Sequence, residues 1–346
     1  MKAAVFEGLD KMVVKEIPTP TPKAGEILVR VKSCAVCGSD VRISHSGNSR
    51  VNPPQVIGHE ISGEVAEVGA GVTKFKAGDR IAIGADVPCG QCYFCEAGIG
   101  NNCQINYAMG YQFPGGFAEY VCLNDIVVNY GPLHRLPDHV SFDEGALAEP
   151  LACILNALEL TPVKLNDVVV FIGCGPIGMM MCRVAKTMGA SKTIMLDREQ
   201  ARLDLAKKLG IADRYCNSAE NDGIKYVMDE TAGLGADVIF TTCPAPAAQI
   251  DALNMAKNRA RVCFFGGLPK NKSQVTLDTN IIHYKELFIT GAHGSMPTHH
   301  GRAMDLISSG VINVKQFITH TFGLDDILRA FSAAENYEGL RVVVNP

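Results

Sequence analysis

Over the first third of the chain, apolar residues come in short runs cut by turn residues. Ala3-Ala4-Val5-Phe6 and Ile27-Leu28-Val29-Arg30-Val31 are separated by Pro18, Pro20, Pro22 and Gly25. Ile61 to Gly69 alternates like a half-buried strand, and Gly78-Asp79-Arg80 turns into Ile81-Ala82-Ile83. Such runs between turns predict a mainly β, antiparallel lobe. From Ser141 to Leu160 the period changes, with Ala146, Leu147, Pro150, Leu151, Ile154, Leu155 and Leu158 at helical spacing. Strands and helices then alternate: Val168 to Ile172 and a helix to Met188, Thr193 to Leu196 and a helix to Leu209, Ala236 to Thr241 and a helix to Ala256, then Arg261 to Phe265. This alternation predicts a doubly wound parallel sheet with right-handed crossovers. From about His293 come helices near Gly301 to Ser308 and Leu324 to Glu335 and a strand Leu340 to Val344, too little to stand alone. The expected organisation is a β domain over 1–151, a doubly wound domain over 152–292, and a return to the first domain over 293–346.

The 346-residue length exceeds the roughly 250 to 300 residues at which a single core stops growing, so two domains are the expectation. A net charge of -4 with no block of like charge speaks against nucleic acid and membrane surfaces and for a small-molecule partner. Met1 to Glu7 reaches an acid too early for a signal peptide, and the longest nearly apolar run, Val168 to Cys182, holds three glycines and a proline. A cytoplasmic protein is expected. Thirteen cysteines without a secretory signal point to metal ligation rather than disulfides.

Three constellations carry chemistry. Cys37-Gly38-Ser39-Asp40 and Gly58-His59-Glu60 offer a thiolate, an imidazole and a carboxylate, a partial ligand set for zinc that needs a further donor. Cys89, Cys92, Cys95 and Cys103 supply four thiolates that close a tetrahedral shell and leave no vacancy, hence a structural zinc site, with an iron–sulfur cluster as the alternative. Strand Val168 to Ile172 runs into Gly173-Cys174-Gly175-Pro176-Ile177-Gly178 and then a helix, the arrangement that brings backbone N–H groups to a pyrophosphate. Asp197 closes the next strand, where a carboxylate accepts from ribose hydroxyls and repels a 2′-phosphate, favouring NAD. Arg198 and Arg202 stand beside it as further cofactor candidates, and Arg198 complicates the choice against NADP.

Together with Glu149-Pro150-Leu151 and Leu340-Arg341-Val342-Val343, these motifs resemble the zinc-dependent medium-chain dehydrogenases, on their polyol (sorbitol-like) branch, over essentially the whole chain. The resemblance implies a GroES-like catalytic domain with a structural zinc lobe, a Rossmann NAD domain, a site between the two, and a homodimer or homotetramer. It implies Cys37, His59 and Glu60 as catalytic zinc ligands, Glu149 binding the metal directly or through water, and Ser39 as first proton carrier. Gly266 and Gly267 are implied near the nicotinamide and Arg341 at the pyrophosphate. In many relatives the relay histidine falls five residues after the zinc cysteine; here that position is Arg42. His45 is the remaining relay candidate. Arg42 and Arg50, with the run His299-His300-Gly301-Arg302, suggest an anion pocket. The expected activity is interconversion of a polyol's secondary alcohol and its ketone with NAD. A polyol-phosphate or amino-alcohol (threonine-like) dehydrogenase, a reductase without catalytic metal and a non-enzymatic NAD- and zinc-binding protein stay open.

Overall fold

A computed structural model describes residues 1–346. The chain divides into two compact units, Met1–Cys153 with Gly294–Pro346, and Ile154–His293.

The first unit is built on a seven-stranded sheet, ordered Leu133–Arg135, Arg80–Ile83, Glu60–Val68, Ile27–Ala35, Arg341–Asn345, Ile318–Gly323, with Tyr120–Leu123 also paired to Ile27–Ala35. A smaller sheet joins Lys11–Glu16, Lys2–Gly8 and Gln55–Val56. Alternation explains the register: Ile27, Val29 and Val31 turn inward with Ile61, Val65, Ile81 and Ile83, while Arg30 of the same strand is exposed. The terminal strand pairs antiparallel with Ile27–Ala35 through Val343–Ala35 and Val344–Cys34, so the chain's end returns to its beginning.

The second unit is a six-stranded, all-parallel sheet ordered Arg214–Asn217, Lys192–Asp197, Val168–Ile172, Ala236–Thr241, Ala256–Phe264, Phe288–Gly291. Its central strands are nearly continuous runs of buried apolar residues, as a sheet covered on both faces requires. The doubly wound expectation is met. Its two edge strands were not legible in the sequence, because Arg214–Asn217 carries no apolar run and Phe288–Gly291 is largely exposed.

Smaller differences have local causes. The helical stretch expected from Ser141 breaks at Leu147 into Phe142–Ala146 and Ala148–Leu160. Ser141 caps the first piece by accepting from Glu144 N–H, with Glu144 returning to the Ser141 backbone. No helix is long and apolar enough to cross a membrane.

Candidate metal centre and cofactor motif

Cys37 stands at the N-cap of the helix Gly38–Ser46, where Asp40 accepts from the Cys37 N–H at 2.9 Å. His59 precedes the strand Glu60–Val68, and Glu60 opens it, buried beside Ala35 of the neighbouring strand. One ligand atom from each of Cys37, His59 and Glu60 falls within 4.8 Å of the others, His59 and Glu60 buried and Cys37 partly exposed. Asp40 Oδ1 lies 3.2 Å from His59 Nδ1, which fixes the ring and leaves Nε2 toward the Ser39 hydroxyl at 3.4 Å.

The electrostatics match a cation site. Burial disfavours charge on both groups, yet Asp40 and Cys37 hold His59 well above its ordinary range. Burial likewise pushes the Cys37 thiol up, but the hydrogen bond and charge of His59 outweigh it and bring Cys37 down to about 6. A thiolate from a helix N-cap and an imidazole and a carboxylate from the start of one strand, steadied by a buried carboxylate, fit zinc.

Glu149 is buried in the first turn of Ala148–Leu160, outside the cluster of three. Its carboxylate accepts from the Cys153 thiol at 3.5 Å, and burial, with the charges of Cys37 and Asp86, raises it to about 8. Arg341, which the resemblance implies at the cofactor pyrophosphate, is buried with its guanidinium paired to Glu60.

The second cluster is made only of sulfur. Cys92 and Cys95 lie 3.5 Å apart, and Cys89–Cys95 and Cys92–Cys103 are each 3.9 Å apart. Four sulfurs 2.3 Å from a central zinc would sit roughly 3.8 Å from one another, so the spread fits a closed site. Cys92 is lowered to about 6, chiefly by backbone N–H groups, while burial pushes Cys95 up to about 12. All thirteen cysteines are free, so no disulfide competes.

Residues 23–132 match the alcohol dehydrogenase GroES-like domain, and residues 176–309 match the zinc-binding dehydrogenase domain. A sorbitol dehydrogenase of Halalkalibacterium halodurans is 34% identical, covering 100% of this chain and 99% of its own. The chain belongs to the zinc-dependent medium-chain dehydrogenases, on their polyol branch. A D-arabitol-phosphate dehydrogenase of Enterococcus avium is 32% identical over 97% of this chain and 94% of its own. Among solved structures, one from Sinorhizobium meliloti, described as a zinc-binding dehydrogenase bound to NADP, superposes with a TM-score of 0.92 at 29% identity, covering 100% and 99% of the two chains.

In this medium-chain dehydrogenase the glycine loop lies in the second unit. Gly173 has φ +118°, and a side chain on Gly178 would meet the Gly173 carbonyl at 2.1 Å, so strand and helix close on each other only with glycine there. Gly175 caps the helix Pro176–Thr187, and Ile177 and Gly178 follow in its first turn. Asp197 is bound into this loop: Oδ2 accepts from Cys174 N–H at 2.6 Å and Oδ1 from Glu199 N–H at 2.9 Å. Arg202 Nη1 lies 3.8 Å from Asp197, and Arg198 is exposed. Gly266 N–H donates to Thr241 at 2.8 Å, and a side chain on it would meet the Cys243 carbonyl at 2.6 Å, whereas Gly267 has open space.

The residues suggested for an anion pocket have different surroundings. His45, the relay candidate, is hydrogen-bonded with Asp10 at Nδ1 and Glu335 at Nε2. Arg50 donates to the Asn106 carbonyl and stacks over Tyr111 at 4.8 Å. His299 and His300 are buried on the helix Pro297–Ser308 and lowered by burial, His300 to about 3, so neither supplies positive charge. Arg42 is exposed on the helix that starts after Cys37, and Arg302 is exposed on the helix Pro297–Ser308. Tyr111 was missed: an aromatic residue in a turn has no spacing that marks it as functional.

Proposed function

We propose that this protein interconverts the secondary alcohol of a neutral polyol or sugar derivative and its ketone, with NAD as hydride acceptor. The observation that carries it is the convergence of Cys37, His59 and Glu60 within 4.8 Å, with the Ser39 hydroxyl 3.4 Å from the same imidazole. Cys37, His59 and Glu60 would hold the catalytic metal, and Cys89, Cys92, Cys95 and Cys103 a structural one. When bound, zinc supplies a Lewis acid for the alcohol or carbonyl oxygen, and the nicotinamide takes or returns the hydride.

The chain's own residues divide the remaining work. Ser39 Oγ accepts the proton released by the substrate hydroxyl and passes it outward. Asp40 keeps His59 oriented. Glu149, buried with its carboxylate accepting from the Cys153 thiol, would be the further carboxylate available to the metal, directly or through water. Gly173, Gly175 and Gly178 shape a turn that would receive the pyrophosphate, Pro176 and Ile177 begin the helix behind it, and Gly266 and Gly267 would stand near the nicotinamide. The Asp197 carboxylate at this loop supports NAD.

Neutral polyols are favoured because His45 and Arg50 are engaged by other groups and burial keeps His299 and His300 uncharged. The second reading, a polyol phosphate, rests on the exposed cation of Arg42 and on similarity to the arabitol-phosphate enzyme. Zinc-loaded protein assayed with NAD and NADP against polyols, polyol phosphates and threonine decides between them. Turnover of free polyols with NAD is expected. A clear preference for the phosphates overturns the neutral-polyol reading, and silence across the panel overturns the enzyme reading.

A further inference from the structure

Tyr111 is built into the wall of the metal triad from four sides. Its ring lies 5.8 Å from the His59 ring at an interplanar angle of 55°. Its phenol is electrostatically sensitive to Ser39, His59 and Cys37, which places it in the surroundings of the triad. The Arg50 guanidinium covers its face at 4.8 Å, and the Gln55 side-chain amide donates to its carbonyl at 2.9 Å. Gly110, immediately before it, has φ +72°, and a side chain there would meet Gly58 O at 2.8 Å and Gly58 N at 2.9 Å. The turn that carries Tyr111 is therefore pressed against the backbone that carries His59. Clamping an aromatic ring this way restricts its rotamers before any ligand arrives, which is the condition for a specific contact.

Accessibility gives the arrangement a direction. His59 and Glu60 are buried, whereas Cys37, Ser39 and Tyr111 are partly exposed, so a substrate approaching the triad meets these two hydroxyls. Two protein hydroxyls along one approach can each engage one of two neighbouring hydroxyls of a substrate.

We propose that Tyr111 is a specificity residue whose phenol binds the hydroxyl next to the one being oxidised, while Ser39 serves the reacting hydroxyl, so that the site selects vicinal polyols over simple secondary alcohols. The proposal rests on reading the triad as the catalytic metal site of an alcohol dehydrogenase. No bond beyond the hydrogen bond changes at Tyr111: the phenol donates to the neighbouring hydroxyl and keeps its proton throughout.

The test compares 2,3-butanediol with 2-butanol on zinc-loaded wild type and Tyr111→Phe, which keeps the ring, the Arg50 stack and the turn. One lost hydrogen bond predicts about a tenfold fall in kcat/KM for the diol, mostly in KM, with less than a twofold change for 2-butanol. The enzyme–NADH–diol complex, titrated by NADH fluorescence, is expected to weaken about tenfold as well, a readout independent of turnover. Tyr111→His, which retains a ring and a donor, should recover part of the loss. Equal losses on both alcohols would make Tyr111 merely structural, and no loss on the diol would overturn its role. Wild type that oxidises neither alcohol, nor any polyol of the wider panel, contradicts the dehydrogenase reading instead, and the fluorescence titration still decides whether Tyr111 binds the diol.

Discussion

The four-cysteine lobe and the Cys37–His59–Glu60 triad lie in the same unit and use ligand-type side chains in opposite ways. The lobe draws all its donors from Cys89 to Cys103, a stretch flanked by the short strand pair Asp86–Val87 and Tyr107–Ala108, whose own regular structure is the helix Tyr93–Glu96 and the 3-10 turn Gly100–Asn102. Little apolar burial supports it, and Tyr93 and Ile99 are exposed. The triad gathers its donors from a helix N-cap, the residue before a strand and the strand's first residue, all packed into the main core and backed by Asp40 and Arg341. Four sulfurs saturate a tetrahedral metal, whereas three mixed donors leave a position for substrate. One site substitutes for a core that its sequence cannot build, and the other is held in place by a core that exists without it.

This contrast predicts the largest effect at the lobe. Cys95→Ser should lower Tm by about 10 °C or more, because a structural zinc contributes several kcal/mol to folding; calorimetry on the variant checks it. An unchanged Tm would put the two sites in one class. In the second unit, Asp197→Ser should cut kcat/KM for NAD about tenfold or more while that for NADP rises, as steady-state kinetics with both cofactors will show. Parallel losses for both would reduce Asp197 to a brace for the glycine loop through Cys174.

A smaller effect separates the buried imidazoles from the metal-linked ones. Burial, with His134 alongside, lowers His300 from the ordinary value of 6.5 to about 3 in the folded protein. The folded state therefore refuses a proton that the unfolded chain accepts. This contribution to stability is complete above pH 6.5 and is lost as pH falls from 6.5 toward 3, at up to about 1.4 kcal/mol per pH unit. Urea unfolding of His300→Gln between pH 7 and pH 5 should show a shallower decline than wild type. The smallest expected effect is at Arg42→Ala, with less than a twofold change in kcat/KM for a neutral polyol; a large loss would revive an anion pocket.

Much of this was legible in the sequence wherever residue type itself limits the chemistry. Clustered cysteines, a cysteine and histidine beside a carboxylate, and glycines between strand and helix admit few readings, and the doubly wound sheet followed from its buried strands. What could not be read depends on neighbours distant in the chain. His45 looked available until Asp10 and Glu335 occupied it, and His299 and His300 looked cationic until the helix carrying them turned inward. The pairing of Arg341 with Glu60 joins two strands far apart in the chain, and Tyr111 gained meaning only when Gly110 brought it against Gly58. Pattern gives the ligand; only packing gives the group beside it.

The most direct test of two metal sites with separate duties is zinc content by mass spectrometry on wild type and Cys37→Ser, read beside Tm and the rate of NAD reduction. Two zinc ions per wild-type chain are expected, and one in Cys37→Ser, with Tm nearly unchanged and turnover abolished. One zinc per wild-type chain, or a Cys37→Ser variant that keeps full activity, would contradict the account.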